Sequence, residues 1–412
     1  MLHLKKGASL ALALGLIAGA AHAEVRTIKY YSDYDPIPLA AMQALIADFE
    51  AQHPDIKVEL QNFDHEGYKT AIRNFLTTDS PDLANWYAGN RMAPFVKSGQ
   101  FMDVSDVWKD NNLDQSLASA MPSMTIDGKQ WGVPYTYYQW GIYYNKSAYA
   151  EAGAKVPTNW DEFIANCELF KAKGIDCLTT GTSALWPAAG IFDYLDLRTN
   201  GYDYHMKLTS GEIPWTDDGV RKVFAEWAKL VPYTTANAAA LDWQDAAALF
   251  VQGKAANYVM GNFAVGVFKQ GGMTNDTLGF MPFPTINPDV VRAEEAPTDT
   301  VHIPAGAKDP ADAKVFLAYI ASAEAQTKWN AAVGQLPINS AATVDEADPF
   351  LKAGFDLLSS TKGGIAQFFD RDAPAEMAKI GMEGFQEFMI YPDHLDAILT
   401  RLEAARQRIY KQ

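Results

Sequence analysis

The strongest constraint on this chain is the alternation of short β-rich runs with helical patterns. "TIKYYSDY" reads as a strand, and "LAAMQALIADFEAQHP" carries apolar residues at helical spacing until a proline stops it. "DIKVELQNF" is the next strand, "EGYKTAIRNFLTT" the next helix, and "SPDLANWY" a third strand opened by a turn. A βαβαβ rhythm of this kind predicts a parallel, doubly wound sheet. The rhythm restarts at "PTNWDEFIANCELFKAKG", a helix with Thr158 as its N-cap and Asp161 and Glu162 in its first turn. "DCLTTG" then reads as a strand. "DDGVRKVFAEWAKLV" and "DWQDAAALFVQG" read as helices, "AANYVMGN" as a strand, and "DPADAKVFLAYIASAEAQTKWNAAVG" as strongly helical. A chain of 412 residues exceeds what one hydrophobic core usually organises. The expected fold class is therefore α/β, with two doubly wound lobes.

The first residues read as an export signal. Lys5 and Lys6 precede "GASLALALGLIAGA", an apolar run too short to span a bilayer, and "AHA" at Ala21–Ala23 is a small-x-small cleavage site. Cleavage after Ala23 and a periplasmic, unanchored protein are expected, residues 1–23 being the signal peptide. The formal net charge is −16 and deepens by two when Lys5 and Lys6 leave. That balance repels nucleic acid and anionic membrane alike. Cys167 and Cys177 stand as a C-x9-C pair in "CELFKAKGIDC", and in an oxidising compartment they read as a disulfide between a helix and the following strand. A metal site would want more ligands nearby. The chain contains no G-x-S-x-G elbow, Walker loop, dinucleotide fingerprint or H-E-x-x-H helix. Neither a cofactor nor a metal is expected.

Four stretches, in order, carry a resemblance. They are "FEAQHPDIKVELQNF"; "SPDLANWYAGNRMAPFVKSGQFMDVSD"; "IDGKQWGVPYTYYQWGIYYNKSAYAEAGAKVPTNWDEF"; and "FVQGKAANYVMGNFAVG" followed by "GFMPFPT" and "AAVGQLPIN". Together they resemble the extracellular solute-binding proteins of ABC sugar importers, the family that includes maltose-binding protein. The resemblance implies two lobes joined by a hinge (the type II periplasmic-binding-protein arrangement), a cleft between them and no chemistry on the ligand. It also implies a carbohydrate ligand, delivery to an inner-membrane ABC permease, and a monomer. Lobe one is expected over 24–137 plus 277–333, and lobe two over 138–276 plus 334–412.

Ligands of open α/β sheets sit beyond the carboxyl ends of strands. In lobe one this points to Tyr34 and Asp35, to Asp64 and His65, and to Trp86 with Asn90 and Arg91; the resemblance puts sugar contacts at the last three. Each has a plainer reading: Asp64 as a helix cap, Trp86 as core, Arg91 paired with surface carboxylates. In lobe two, Trp186 precedes a helix, and Asn262 and Phe263 end a strand. The family often has an aromatic where Phe263 stands, stacked on a sugar ring and commonly tryptophan. Arg371 in "FFDRDAP" is a late cationic candidate, or an ion pair with Asp370 or Asp372. Residues 127–145 hold seven aromatics in nineteen. Trp131 and Tyr135 read as packing under the hinge and Ile142, Tyr143 and Tyr144 as a buried strand. Tyr137, Gln139 and Trp140 are expected at the cleft floor.

A sugar has apolar C–H faces that fit aromatic rings and a rim of hydroxyls that needs Asp, Asn, Gln and Arg. Two rival readings remain at this point: a polyamine or other non-sugar solute in the same fold, and an exported glycoside-active enzyme. Arg91, His65 and Arg371 also leave room for an acidic or sulfonated glycoside.

Overall fold

The computed structural model describes residues 25–410, so the expected signal peptide and its cut after Ala23 lie outside the described residues. Nine strands of four residues or more occur among them. In chain order they are β1 (Arg26–Ser32), β2 (Ile56–Asn62), β3 (Leu83–Tyr87), β4 (Val133–Tyr137), β5 (Trp140–Asn145), β6 (Asp176–Thr179), β7 (Ala255–Gly261), β8 (Leu278–Met281) and β9 (Thr298–His302). One sheet has the order β2-β1-β3-β9-β4 and the other β8-β5-β7-β6. β1 is parallel to both β2 and β3, as the opening rhythm predicts. β6 and β7 are parallel as well, but elsewhere in the two sheets the all-parallel expectation is corrected. β9 lies antiparallel between β3 and β4, and β5 lies antiparallel between β8 and β7. These strands enter their sheets from the other lobe, so no βαβ crossover dictates their direction.

Local chemistry sets the helices. Helix Pro36–Gln52 buries Ala41, Met42, Leu45, Ile46 and Phe49, one stripe at helical spacing. It stops at His53, ahead of Pro54. Helix Trp160–Ala172 is capped by Asn159 rather than by Thr158. Asn159 Oδ1 accepts from Glu162 N at 3.0 Å, and Glu162 reaches back to Thr158 N and Oγ1 at 2.8 and 3.0 Å. Asn159 thus satisfies the third helical N–H while Glu162 holds the residue before the cap, which fixes the helix start one position later than expected. The same helix is joined to β6 by the Cys167–Cys177 disulfide, with both cysteines buried.

Two large cores result, with a small third cluster of Leu197, Ala293 and Ala366 at the second crossing. The first holds Ile28 to Tyr137 and Ala296 to Ile338, with Leu351 reaching back; the second holds Tyr138 to Phe283 and Phe350 to Ala405. The chain changes core between Tyr137 and Tyr138, between Phe283 and Ala296, and between Ile338 and Phe350. The second and third crossings therefore come later than 277 and 333. β8 still pairs with β5 in the second sheet, and Leu336 exchanges backbone hydrogen bonds with Tyr137 in the first lobe.

Candidate functional site

A cavity of about 410 Å³ opens between the two lobes, within the usual range for small-molecule sites. The first lobe supplies Tyr34, Trp86, Tyr87 and Trp329; the second supplies Tyr138, Trp140, Trp186, Trp243, Phe263 and Phe368. The second-lobe rings hold one another in place. Trp140 lies 4.7 Å from Phe368 and, edge to face, 6.1 Å from Trp186, while Phe263 lies 5.5 Å from Trp243 and 5.6 Å from Tyr138. Across the cleft, Tyr34 lies 5.4 Å from Trp329, and its hydroxyl meets those of Tyr30 and Tyr135 at 2.8 and 3.0 Å. A ring pinned on several sides loses little freedom when a ligand face settles on it.

Polar groups stand between these walls. The lining holds seven carboxylates, Asp33, Asp35, Asp64, Glu66, Asp242, Asp299 and Asp370, against Lys69, Arg371 and His65. The cations are already paired. His65 Nδ1 sits 2.8 Å from Asp33 Oδ2; burial alone would lower the His65 pKa, but the Asp33 hydrogen bond and charge raise it above the usual histidine value. Arg371 Nη1 is 3.1 Å from Asp299 Oδ1, and its guanidinium lies 4.2 Å over Tyr87 and 5.1 Å from Tyr138. Burial pushes Asp299 up, with Arg371 opposing; burial also pushes Asp35 up. Asp370 goes the other way: burial would raise it, but Lys69, Arg91 and Arg371 outweigh that and lower it.

Nine residues expected from the sequence line this cavity: Tyr34, Asp35, Asp64, His65, Trp86, Trp140, Trp186, Phe263 and Arg371. Asp64 serves twice, since its Oδ1 also caps helix His65–Thr78 through Gly67 N at 2.8 Å. Trp86 likewise belongs to the first core, with Nε1 donating to Arg91 O at 3.0 Å. Arg371 pairs with Asp299, not with its sequence neighbours.

Five expected residues stand outside the cavity wall. Asn90 donates to the backbone carbonyl of Asp372 at 2.6 Å, and Arg91 is buried beside the rings of Trp86 and Tyr87. Tyr137 donates to Ser119 Oγ at 3.0 Å, while Gln139 is fully buried against Gly354. Asn262 donates to Gly334 O of the first lobe at 2.9 Å, just before the third crossing. The alternation of side chains accounts for two of these placements. Successive side chains on extended backbone point to opposite faces, so Tyr138 and Trp140 face the cleft while Tyr137 and Gln139 face away.

Sequence reasoning passed over Tyr138, although it lies inside the aromatic run. Asp242 and Trp243 begin helix Trp243–Val251, and the preference of ligands for helix N-termini could have found them. Phe368 and Asp370 closely precede Arg371 in the quoted "FFDRDAP". Trp329 and Gln335 carry no local signal, because only packing of the late helix Ala323–Val333 against the first sheet brings them to the cleft.

Comparison with known proteins agrees with this geometry. The sequence profile of the bacterial extracellular solute-binding proteins matches residues 35–327. An ABC transporter extracellular-binding protein of Pyrococcus horikoshii is 30% identical over 331 residues, covering 78% of this chain and 74% of that one. A probable sugar-binding periplasmic protein of Mesorhizobium japonicum is 27% identical over 213 residues, about half of each chain (50% and 51%). Among solved structures, the bacterial solute receptor AcbH, described as exclusive for β-D-galactopyranose, is 30% identical with a TM-score of 0.86, covering 94% of this chain and 100% of that one. These relatives are named as binding proteins or receptors, and the AcbH structure shares the fold described above. The chain belongs to the bacterial extracellular solute-binding protein family.

Proposed function

We propose that this protein is an exported receptor that captures a carbohydrate between its lobes and delivers it to an ABC permease without altering it. One observation carries the reading: aromatic walls from both lobes face each other across a cavity whose lining also holds seven carboxylates, their cationic partners and the amides of Asn85, Gln244 and Gln335. Rings take the C–H faces of a sugar, and carboxylates accept from its hydroxyls. The fourteen residues expected from the sequence divide on this reading. The nine in the wall are ligand contacts, and Asn90, Arg91, Tyr137, Gln139 and Asn262 support them from behind. The lobes are the two cores, hinged at the three crossings, in a monomeric periplasmic chain released by cleavage after Ala23. Mesorhizobium and AcbH relatives described as sugar-binding support the ligand class.

Because Lys69, His65 and Arg371 each have carboxylates beside them, an uncharged sugar fits better than an acidic or sulfonated one. The surplus of carboxylates also favours a second reading, a polyamine held between rings and acids. Calorimetry with neutral, amino and acidic sugars and with polyamines separates them. Saturable one-to-one binding of a neutral sugar, with the sugar recovered unchanged, is the expected result. Binding of a polyamine with no sugar bound would overturn it, and release of a hydrolysed product would restore the enzyme reading.

A further inference from the structure

Apart from the three covalent crossings, the lobes meet through side chains such as Asn262, which donates to Gly334 O at 2.9 Å, and Tyr138, which donates to Asp299 Oδ1 at 3.3 Å, and through one short turn that makes several such contacts at once. Helix Phe369–Asp372 is rooted in the second lobe. Phe369 packs 5.2 Å from Phe385 and 5.9 Å from Trp215, and its backbone N–H donates to the buried Asp193 Oδ2 at 2.9 Å. The three residues that follow all engage the first lobe. Asp370 Oδ2 lies 3.4 Å from Lys69 Nζ on helix His65–Thr78. Arg371 Nη1 donates to Thr298 O and Asp299 Oδ1 of β9, each at 3.1 Å, while its guanidinium covers Tyr87 at the end of β3. The Asp372 carbonyl accepts from Asn90 Nδ2 at 2.6 Å. Gly89, whose φ of 62° suits glycine, sets the backbone beside this contact.

Just before the turn, Glu294–Glu295 of the second crossing pairs in parallel with Ile365–Ala366. Residues 365–372 thus run beside a hinge segment and then reach over to the opposite lobe. A contact of this kind cannot survive a wide separation of the lobes, since the turn is anchored on one core and bonded to the other.

We infer that Asp370, Arg371 and Asp372 form a non-covalent fourth joint, closed by Lys69, Asn90 and Asp299, whose breaking sets how far the ligand-free protein opens. Asn90, Lys69 and the turn are then positioning residues for ligand capture. They act on the equilibrium between open and closed lobes, and a ligand that prefers closed lobes binds more weakly when that equilibrium moves toward open. The inference rests on the two-lobed receptor reading but not on the identity of the ligand.

The test uses the mature chain without ligand. Small-angle X-ray scattering compares the wild type with Asn90→Ala, with the double variant Asn90→Ala/Lys69→Ala, and with Lys352→Ala, which breaks an exposed pair with Asp356 inside one helix away from the turn. The expected result is a shift of the pair-distance distribution to longer distances, small in Asn90→Ala and larger in the double variant, with Lys352→Ala unchanged. Circular dichroism and melting confirm that each variant is folded. Should the double variant misfold, Asn90→Asp keeps the side-chain size and replaces the donor with a carboxylate that faces the Asp372 carbonyl, so it must open the lobes alone. Scattering identical to the wild type in a folded Asn90→Ala and a folded Asn90→Asp would overturn the joint. Where a ligand is in hand, Asn90→Ala is expected to weaken its binding by roughly 3- to 10-fold. A failed sugar titration leaves the scattering result untouched, so the two ideas fail separately.

Discussion

Trp186 is the most informative single side chain in the cleft. It is half-buried at the start of its helix and meets Trp140 edge to face, leaving part of its ring to the cavity. Trp186→Ala is therefore expected to weaken sugar binding by about 10-fold or more, as truncation of a buried aromatic contact does, while the ligand-free melting temperature changes little. Calorimetry beside a melting curve checks both halves. Far from the cleft, Glu403 makes a different kind of prediction. Its carboxylate accepts from Arg406, Gln407 and the backbone N–H of Trp215. The Arg406 hydrogen bond comes first among the causes that hold its pKa at about 2 instead of 4.5. A carboxylate depressed by folding stabilises fully above its unfolded value and loses that contribution as pH falls through the folded one. Urea midpoints should fall between pH 4.5 and 2, and Glu403→Gln should flatten that decline. An identical slope in the variant would assign the acid sensitivity elsewhere.

At the scale of elements, helix Trp186–Thr199 shows how a buried face shapes a binding wall. Gly190 sits beneath the aromatic floor, where an added Cβ would lie 2.5 Å from the Trp140 ring and 3.2 Å from Phe368. Gly190→Ala should push Trp140 toward the cavity, weakening ligand binding and destabilising the fold by about 1–3 kcal/mol, the usual cost of overpacking. Unchanged affinity would show that the floor tolerates the methyl. The Cys167–Cys177 bond clips helix to strand across a sequence separation of 10. Replacing both cysteines with alanine should cost about 2–3 kcal/mol, read as a lower urea midpoint with ligand affinity preserved, because neither cysteine lines the cavity. Legibility at this scale was uneven for a physical reason. Helices with a single apolar stripe, such as Pro36–Gln52, declare themselves by spacing. The cleft parity of Tyr137 to Trp140 does not, because a run of aromatics looks alike on both faces of a strand.

For the whole molecule, the two cores joined by three crossings make lobe movement the natural response to a ligand that touches both walls. Adding a saturating neutral sugar should contract the scattering radius of gyration and raise the melting temperature together. A rise in melting without contraction would indicate capture by one lobe only. The division into two main cores also accounts for the late crossings. β8 stays in the second lobe because its backbone partners are on β5, a preference set by residues more than a hundred positions earlier.

The order of residues alone specified the βαβ start, the need for two lobes, the cysteine pair, and the supply of rings and carboxylates, since local spacing, chain length and composition act over short range. It also marked most of the strand ends that reach the cleft, from Tyr34 and His65 to Phe263. Long-range packing chose among them. It turned Tyr138 rather than Tyr137 toward the ligand space, brought Trp329 and Trp243 to opposite walls, paired Arg371 with Asp299 across the lobes, and moved Asn90 and Asn262 into interlobe support. Those outcomes depend on how two independently stable cores meet, and no window of a few residues contains that information.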